Sequence, residues 1–245
     1  MRKIQLIALD IDGTLLNDDG VVTSYTAGVI QRALDNGIHV VLCTGRPLPM
    51  CASFYDELHL SSYIITSNGA EIWDENYELL THFPISSERI EQLWNFGHKH
   101  HLHMWMVASD NIFGRSSRPE NFHEHTWLKM GYGNLTEKEK RFVLQYLDTF
   151  SDLEITNSSV KNIEINYRDV HKAKALHLIC EKLNITMDAV IAMGDSLNDY
   201  KMLEQAGVGV AMKNAQQPIL QIADYVTESN NDDGVAQAIE KFVLS

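Results

Sequence analysis

Short apolar runs that end in acidic, hydroxyl or glycine residues recur along this chain, and they predict buried strands. The clearest runs are Ile4 to Leu9, Ile38 to Cys43, Tyr63 to Thr66 and Ala189 to Met193. Continuous apolar runs of this length, bounded by turn residues, are typical of parallel strands that are covered on both faces. The pattern therefore predicts the central strands of an open sheet.

Segments in which apolar residues recur three and four positions apart lie between these runs and predict helices. One helix is expected from Thr23 or Ser24 to Asn36, where Gly37 ends it, and another is expected to begin near Lys172. Strands that alternate with helices are typical of a doubly wound α/β fold. We therefore expect an α/β core with a mostly parallel, Rossmann-like sheet.

From about Phe83 the pattern changes, which indicates a smaller α/β domain inserted into the core. The predicted boundaries are residues 1–82 and 164–245 for the core and 83–163 for the inserted domain. The inserted segment is predicted to contain a helix capped by Ser86, a strand from Leu102 to Val107, a loop-rich stretch from Gly114 to Gly133, a helix that begins with a Thr136–Glu139 capping box, and a strand from Asn162 to Asn166.

Composition narrows the range of partners. The 245 residues carry 20 basic and 33 acidic side chains, a net charge of −13, which argues against nucleic acid or an anionic membrane as a partner. No apolar run approaches the ~18 residues of a membrane span, and the apolar segment before Asp10 is too short for a signal peptide. The three cysteines lack metal-ligand spacing and fit a reducing compartment. We expect a cytoplasmic protein.

The most informative residues follow the first predicted strand, in the string Asp10-Ile11-Asp12-Gly13-Thr14. In open α/β sheets, ligands bind just beyond the carboxyl ends of the strands. In an extended chain, the side chains of residues two positions apart point the same way, so Asp10 and Asp12 are predicted to face one ligand. The structural alternative is an acidic turn, and the rest of the chain is needed to decide between the two interpretations.

Three further segments favour a phosphate site. They are Thr44-Gly45 and Gly194-Asp195, each after a predicted strand, and Lys172 at a helix start. Each alone has an ordinary structural interpretation, but their order and their positions relative to the strands favour a common site. A phosphate dianion beside several carboxylates would be repelled by roughly 4 kcal/mol per unit-charge pair 4 Å apart at an effective dielectric near 20. A divalent cation is therefore required, and oxygen-only ligands favour Mg²⁺.

Taken together, these segments resemble the motifs of the haloacid dehalogenase superfamily, and specifically its Cof-like phosphatases with a type IIB cap. The resemblance covers nearly the whole chain, although Ala173 follows Lys172 where the family usually has glycine. The matching segments are Asp10-Ile11-Asp12-Gly13-Thr14-Leu15-Leu16, Thr44-Gly45-Arg46-Pro47, Ser67-Asn68-Gly69-Ala70, Lys172, Gly194-Asp195 and Asn198-Asp199.

The resemblance implies a role for each matching residue. Asp10 would be the nucleophile that forms an aspartyl-phosphate, and Asp12 would be the general acid and base. Phosphate binding would fall to Ile11, Thr44, Gly45, Lys172 and Asn198, and Mg²⁺ binding to Asp10, Asp12, Asp195 and Asp199. Substrate specificity is expected from Arg46, Asn68 and Gly69, with Glu71, Trp105, Arg115, Arg118 and Lys129 as further candidates.

The implied function is Mg²⁺-dependent hydrolysis of a small phosphomonoester, such as a sugar phosphate, by a monomer or homodimer. Two alternatives remain open, namely a phosphomutase, which would need several cap arginines for a bisphosphate, and a non-catalytic phosphate-binding module. A cysteine phosphatase is excluded because no arginine stands six residues after a cysteine; those positions hold Pro49, Glu57 and Thr186.

Overall fold

The computed structural model describes residues 3–245. The strands of these residues form two sheets. The strands are β1 (Leu6–Leu9), β2 (His39–Cys43), β3 (Ile64–Thr66), β4 (Glu71–Trp73), β5 (Leu79–His82), β6 (His103–Ala108), β7 (Ile112–Gly114), β8 (Trp127–Gly133), β9 (Leu153–Thr156), β10 (Ile163–Tyr167), β11 (Val190–Gly194), β12 (Val208–Ala211) and β13 (Tyr225–Val226).

Helices connect these strands and cover the sheets. They are α1 (Ser24–Asp35), α2 (Ala52–Glu57), α3 (Ser87–Lys99), α4 (Glu137–Leu147), α5 (Lys172–Leu183), α6 (Tyr200–Gln205), α7 (Gln217–Ile222) and α8 (Gly234–Phe242). Within the described chain, no helix is both long enough and apolar enough to cross a membrane.

The larger sheet has the order β13-β12-β11-β1-β2-β3-β4-β5, and its strands from β13 to β3 are parallel. Helices α1, α2 and α8 pack on one face of it, and α5, α6 and α7 pack on the other. This arrangement confirms the predicted doubly wound α/β core. All four residues of β1 are fully buried, as a strand covered on both faces requires.

The smaller sheet is antiparallel, with the order β7-β6-β8-β10-β9, and α3 and α4 pack on it through one apolar cluster. Both helices begin where the sequence predicts. The Ser86 side chain accepts a hydrogen bond from the Arg89 amide at the start of α3, and Thr136 forms the predicted capping box with Glu139 at the start of α4.

One part of the inserted segment was predicted wrongly. The stretch from Gly114 to Gly133 contains β8, a strand of seven buried residues, rather than only loops. Its glycines have a packing role, since a Cβ on Gly131 would lie 2.2 Å from the Trp105 ring and a Cβ on Gly133 would lie 2.9 Å from it. The indole of Trp105 therefore lies directly against the backbone of these glycines. From the sequence alone, the same glycines indicate turns.

The inserted segment returns to the core through β10, which pairs with β8 and β9 of the smaller sheet. The predicted domain boundary between residues 163 and 164 would separate Ile163 from the rest of β10. We propose that the inserted unit extends through Tyr167, since the hydrogen-bonded ladder of β10 continues to that residue.

Two glycines give a test of this packing. Gly28 lies on the exposed face of α1 with no atom within 4 Å of an added Cβ, whereas a Cβ on Gly207 would lie 2.2 Å from the Asp188 carbonyl oxygen. We expect Gly28→Ala to raise the free energy of unfolding by about 0.5–1 kcal/mol, because alanine favours helix. Gly207→Ala should lower the free energy of unfolding by about 1–3 kcal/mol, because the backbone at Asp188 would have to move to make room for the methyl group. Urea unfolding of both variants checks this, and equal effects would contradict the described packing.

Candidate active site

The carboxyl ends of three adjacent strands bring the predicted motifs to one edge of the larger sheet. Leu9 of β1 lies beside Leu42 of β2 and Met193 of β11 in the parallel register. The residues that follow these strands include Asp10, Thr44 and Asp195. Sheet register alone therefore places two carboxylates and a hydroxyl next to each other.

Lys172 joins this edge from the first turn of α5. Its Nζ lies 2.5 Å from Asp10 Oδ1 and 2.6 Å from Asp199 Oδ1, and its side chain is fully buried. Burial alone would lower the Lys172 pKa, but the two carboxylates outweigh it and raise the pKa. The lysine is therefore a permanent cation between two buried carboxylates.

Asp199 organises the loop that follows β11. Its Oδ2 accepts hydrogen bonds from the Asp195 and Ser196 backbone amides, both at 3.0 Å, while Oδ1 receives Lys172. Gly194 makes room for this carboxylate, since a Cβ there would lie 2.4 Å from Asp199 Cγ. Because both oxygens of Asp199 already accept hydrogen bonds, this carboxylate is placed to orient the loop.

The Asp195 carboxylate is only partly satisfied by hydrogen bonds. Its Oδ2 accepts a hydrogen bond from Ser196 Oγ at 2.9 Å, but its buried Oδ1 receives none from the described residues. Burial and then the nearby Asp199 raise the pKa of Asp195 to about 7. Burial and Asp199 likewise raise the pKa of Asp10 well above its usual range.

These carboxylates fit a divalent cation. Asp10, Asp195 and Asp199 each offer an oxygen, and the three oxygens lie within 4.8 Å of one another. The orphaned Oδ1 of Asp195 and the raised pKa values indicate excess negative charge, which a bound cation would relieve. A set of oxygen ligands alone suits Mg²⁺ better than Zn²⁺.

Asp12 is paired with Arg46 at the rim of the site. Arg46 donates from Nε to Asp12 Oδ2 at 2.8 Å and from Nη2 to Asp12 Oδ1 at 2.5 Å. The Asp12 side chain is 57% exposed, and the guanidinium also lies over the Phe54 ring. This ion pair was not predicted from the sequence, because Asp12 was assigned as the general acid and base and Arg46 as a separate substrate-contacting residue.

Thr44 and Gly45 follow β2, and each keeps a hydrogen-bond donor that has no acceptor within residues 3–245. The Thr44 hydroxyl oxygen accepts a hydrogen bond from the Arg46 amide, so its proton remains free to donate. Within residues 3–245, the Gly45 and Ile11 amides have no hydrogen-bond acceptor. The Ile11 side chain is buried in the core, so only its backbone can face a ligand.

The smaller sheet contributes a buried cation to the same site. Lys129 of β8 donates to the Gly45 carbonyl at 2.8 Å and lies 3.1 Å from Glu164 Oε2 of β10, and both side chains are 4% exposed. Burial alone would raise the Glu164 pKa, but Lys129 and then a hydrogen bond from Asn68 outweigh it and lower the pKa. Glu164 was not predicted as a site residue, because its partners lie far away in sequence.

Asn68 connects the core to this pair. The Asn68 amide nitrogen donates to Glu164 Oε2 at 2.6 Å and to Asn166 Oδ1 at 3.2 Å, and its carbonyl oxygen accepts from Asn198 at 3.1 Å. Ser67 and Asn68 have φ values of +51° and +63°, which turn the chain sharply after β3. Asn198, to which the resemblance assigned phosphate binding, donates to Asn68 in this structure.

A cavity of about 510 Å³ lies between the two sheets and includes much of the predicted site. It is lined by Asp10, Asp12, Gly45, Arg46, Pro47, Met50, Trp105, Val107, Ile112, Lys129, Ser158, Glu164, Asp195, Ser196 and Asn198.

Several predicted specificity residues lie elsewhere. Gly69 packs against the start of α5, where a Cβ would lie 2.6 Å from the His171 carbonyl oxygen. Arg115 contacts His101, and Arg118 pairs with Glu91, so neither lines this cavity.

Comparison with known proteins agrees with this geometry. The family model described as haloacid dehalogenase-like hydrolase matches residues 7–141 and 116–239. A protein of Bacillus subtilis named 5-amino-6-(5-phospho-D-ribitylamino)uracil phosphatase is 44% identical over 98% of this chain and 96% of its own length.

Solved structures show the same fold. A haloacid dehalogenase-like hydrolase from B. subtilis matches with a TM-score of 0.90 at 27% identity, over 98% of this chain and all of its own. A sugar phosphatase of haloacid dehalogenase subclass IIB matches with a TM-score of 0.85 at 24% identity, over 97% of this chain and 98% of its own. The chain therefore belongs to the haloacid dehalogenase-like hydrolases, and within them to the phosphoric monoester hydrolases with a cap domain.

Proposed function

We propose that this protein is a Mg²⁺-dependent phosphatase that hydrolyses small phosphomonoesters through an aspartyl-phosphate on Asp10. One observation carries the proposal. Asp10 lies at the end of a buried strand and lines the cavity, with Oδ1 held by Lys172 and with no described donor to Oδ2. A carboxylate that is fixed through one oxygen and open at the other is suited to in-line attack on phosphorus.

In the first step, an Asp10 oxygen forms a bond to phosphorus while the bond to the leaving oxygen breaks, and Asp12 gives that oxygen its proton. In the second step, Asp12 takes a proton from water, whose oxygen attacks phosphorus and releases phosphate from Asp10. Bound Mg²⁺, held by Asp10, Asp195 and the backbone carbonyl of Asp12, would neutralise phosphoryl charge. Lys172 stabilises the same charge from its fixed position between Asp10 and Asp199.

Arg46 holds both carboxylate oxygens of Asp12 through its guanidinium. A phosphate or leaving group that binds the guanidinium instead would release Asp12 toward the scissile bond. We propose that Arg46 couples substrate binding to the availability of the general acid.

Phosphate binding is assigned to donors with unused capacity, namely the Thr44 hydroxyl, the Gly45 and Ile11 amides and the Lys172 ammonium. Asn198 is assigned a positioning role through Asn68, since its amide nitrogen donates to Asn68 Oδ1. Asp199 has a similar role, because it fixes the amides that precede and follow the Asp195 side chain.

The rival functions find less support in this cavity. A phosphomutase would need cationic groups for a second phosphate, but the cations among the described residues that line the cavity, Arg46 and Lys129, are paired with Asp12 and Glu164. The cavity wall also includes the apolar Met50, Val107 and Ile112, which suits a partly apolar leaving group. A non-catalytic module would not require the Asp10–Lys172 contact beside an open carboxylate oxygen.

The relative that is 44% identical suggests the first substrate to test. We propose 5-amino-6-(5-phospho-D-ribitylamino)uracil, which that protein's name specifies. Phosphate release with Mg²⁺ should be measured for this compound and for a panel of sugar phosphates and other small phosphomonoesters. Turnover of a bisphosphate-activated sugar phosphate without phosphate release would instead indicate a mutase.

Replacement of the proposed nucleophile gives the sharpest test of mechanism. We expect Asp10→Asn to lower kcat for phosphate release by roughly 10⁴-fold or more, because an amide cannot attack phosphorus. The fold should persist, since Lys172 keeps its contact with Asp199. Asp19→Asn, in the exposed turn before α1, is the matched control and should retain full activity. Unchanged turnover in Asp10→Asn would discard the aspartyl-phosphate mechanism.

Metal removal tests the cation site. We expect EDTA to abolish phosphate release and added Mg²⁺ to restore it. Asp195→Asn should raise the Mg²⁺ concentration for half-maximal activity by at least about tenfold, because it neutralises a ligand whose Oδ1 has no hydrogen-bond partner among the described residues. Titration of activity against Mg²⁺ measures the shift. An identical Mg²⁺ requirement in Asp195→Asn and the unaltered chain would place the cation elsewhere.

A further inference from the structure

A second cavity, of about 340 Å³, adjoins the first between the two sheets. Pro47 and Ile112 line both cavities, so the second space adjoins the one that contains Asp10. Its wall is largely apolar and includes Trp73 of the core and Leu128 of the inserted domain. None of the proposed catalytic residues lines it.

Glu71 is the unusual member of this wall. It is the first residue of β4 and only 2% exposed, yet its Oε1 has no hydrogen-bond partner among the described residues. Its Oε2 is fixed, since the Thr66 hydroxyl donates to it at 3.1 Å and itself accepts from Trp73 Nε1 at 3.1 Å. One carboxylate oxygen is thus oriented by the protein and the other left without a donor.

An unpaired buried carboxylate oxygen is unfavourable, and native proteins rarely retain one without a reason. Burial raises the pKa of Glu71. In its ionised form the carboxylate only accepts, and the partner that Oε1 lacks is then a hydrogen-bond donor. An apolar wall excludes competing water and so strengthens a hydrogen bond to such a donor. A cationic N–H also offsets the charge of the carboxylate, which a hydroxyl donor cannot do, so a nitrogen-bearing group flanked by apolar surface satisfies both features of the wall.

We propose that the second cavity is a specificity subsite for the leaving group of the substrate, and that Glu71 Oε1 accepts a hydrogen bond from an N–H of that group. The proposal rests on the phosphatase function assigned above. The phosphate would bind at Asp10, and the leaving group would extend past Pro47 and Ile112 to Glu71. The substrate class is therefore nitrogen-bearing phosphomonoesters longer than a simple sugar phosphate.

Matched esters of increasing length test this inference without knowledge of the natural substrate. The test is to measure kcat/KM for ω-aminoalkyl phosphates and for alkyl phosphates of the same length. At the length that reaches Glu71, the amino ester should be preferred by about tenfold or more, as for a hydrogen bond to a charged group. Glu71→Gln should remove most of that preference while hydrolysis of p-nitrophenyl phosphate and the Tm stay unchanged.

Asp110→Asn is the matched control, because Asp110 lines the same cavity but is already paired with His125. It should leave the amine preference intact. An amine preference that is absent at every length, that survives Glu71→Gln, or that disappears in Asp110→Asn alone would overturn the inference. If no ester releases phosphate, the proposed function fails, and the Kd values of the same ester pairs for the unaltered chain and Glu71→Gln then decide the role of Glu71.

Discussion

The contact of Lys172 with Asp10 and Asp199 is the interaction on which the rest of the site depends. Two buried carboxylates this close would repel each other strongly at the effective dielectric of a protein interior. The ammonium between them offsets that repulsion and makes both carboxylates tenable without exposure to water. It also ties α5, which follows the inserted domain, to β1, which precedes it. One ion triad thus joins the two halves of the core at the point where the chemistry is proposed.

The carboxylates of this cluster carry more negative charge than its one lysine can neutralise. Three aspartates face one ammonium, and the shortfall appears as the raised pKa values of Asp10 and Asp195 and as the unpaired Oδ1 of Asp195. A phosphate dianion alone would increase the imbalance, whereas a divalent cation would reverse it. Cation and phosphate are therefore expected to bind cooperatively, because each relieves the repulsion that the other would meet.

The sequence predicted features that depend on local order and strand ends. Asp10, Thr44 and Asp195 could be placed together because parallel strands present their carboxyl ends at one edge. Lys172 begins α5 instead, and only the order of the motifs and the family resemblance placed it with them. Pairings between residues distant in sequence could not be predicted in this way. Glu164 lies 96 residues from its partner Asn68, and nothing in either local pattern specifies that contact. Strand β8 was missed for a related reason, since Gly131 serves the distant Trp105 ring rather than a turn.

The inserted domain reaches the proposed phosphate site through polar side chains buried among apolar ones. Lys129 donates to the Gly45 carbonyl, and Asn68 donates across to Glu164 and Asn166, so that the loops after β2 and β3 are held from both sides. Buried charge pairs stabilise little relative to apolar packing, but they penalise any misaligned arrangement in which a charge loses its partner. A cap seated by such contacts has one favoured position over the core. Lys129 and Glu164 also line the cavity that contains Asp10. The contacts that hold the Gly45 loop therefore form part of the wall that would face the proposed substrate, which would link substrate shape to the placement of the reacting phosphorus.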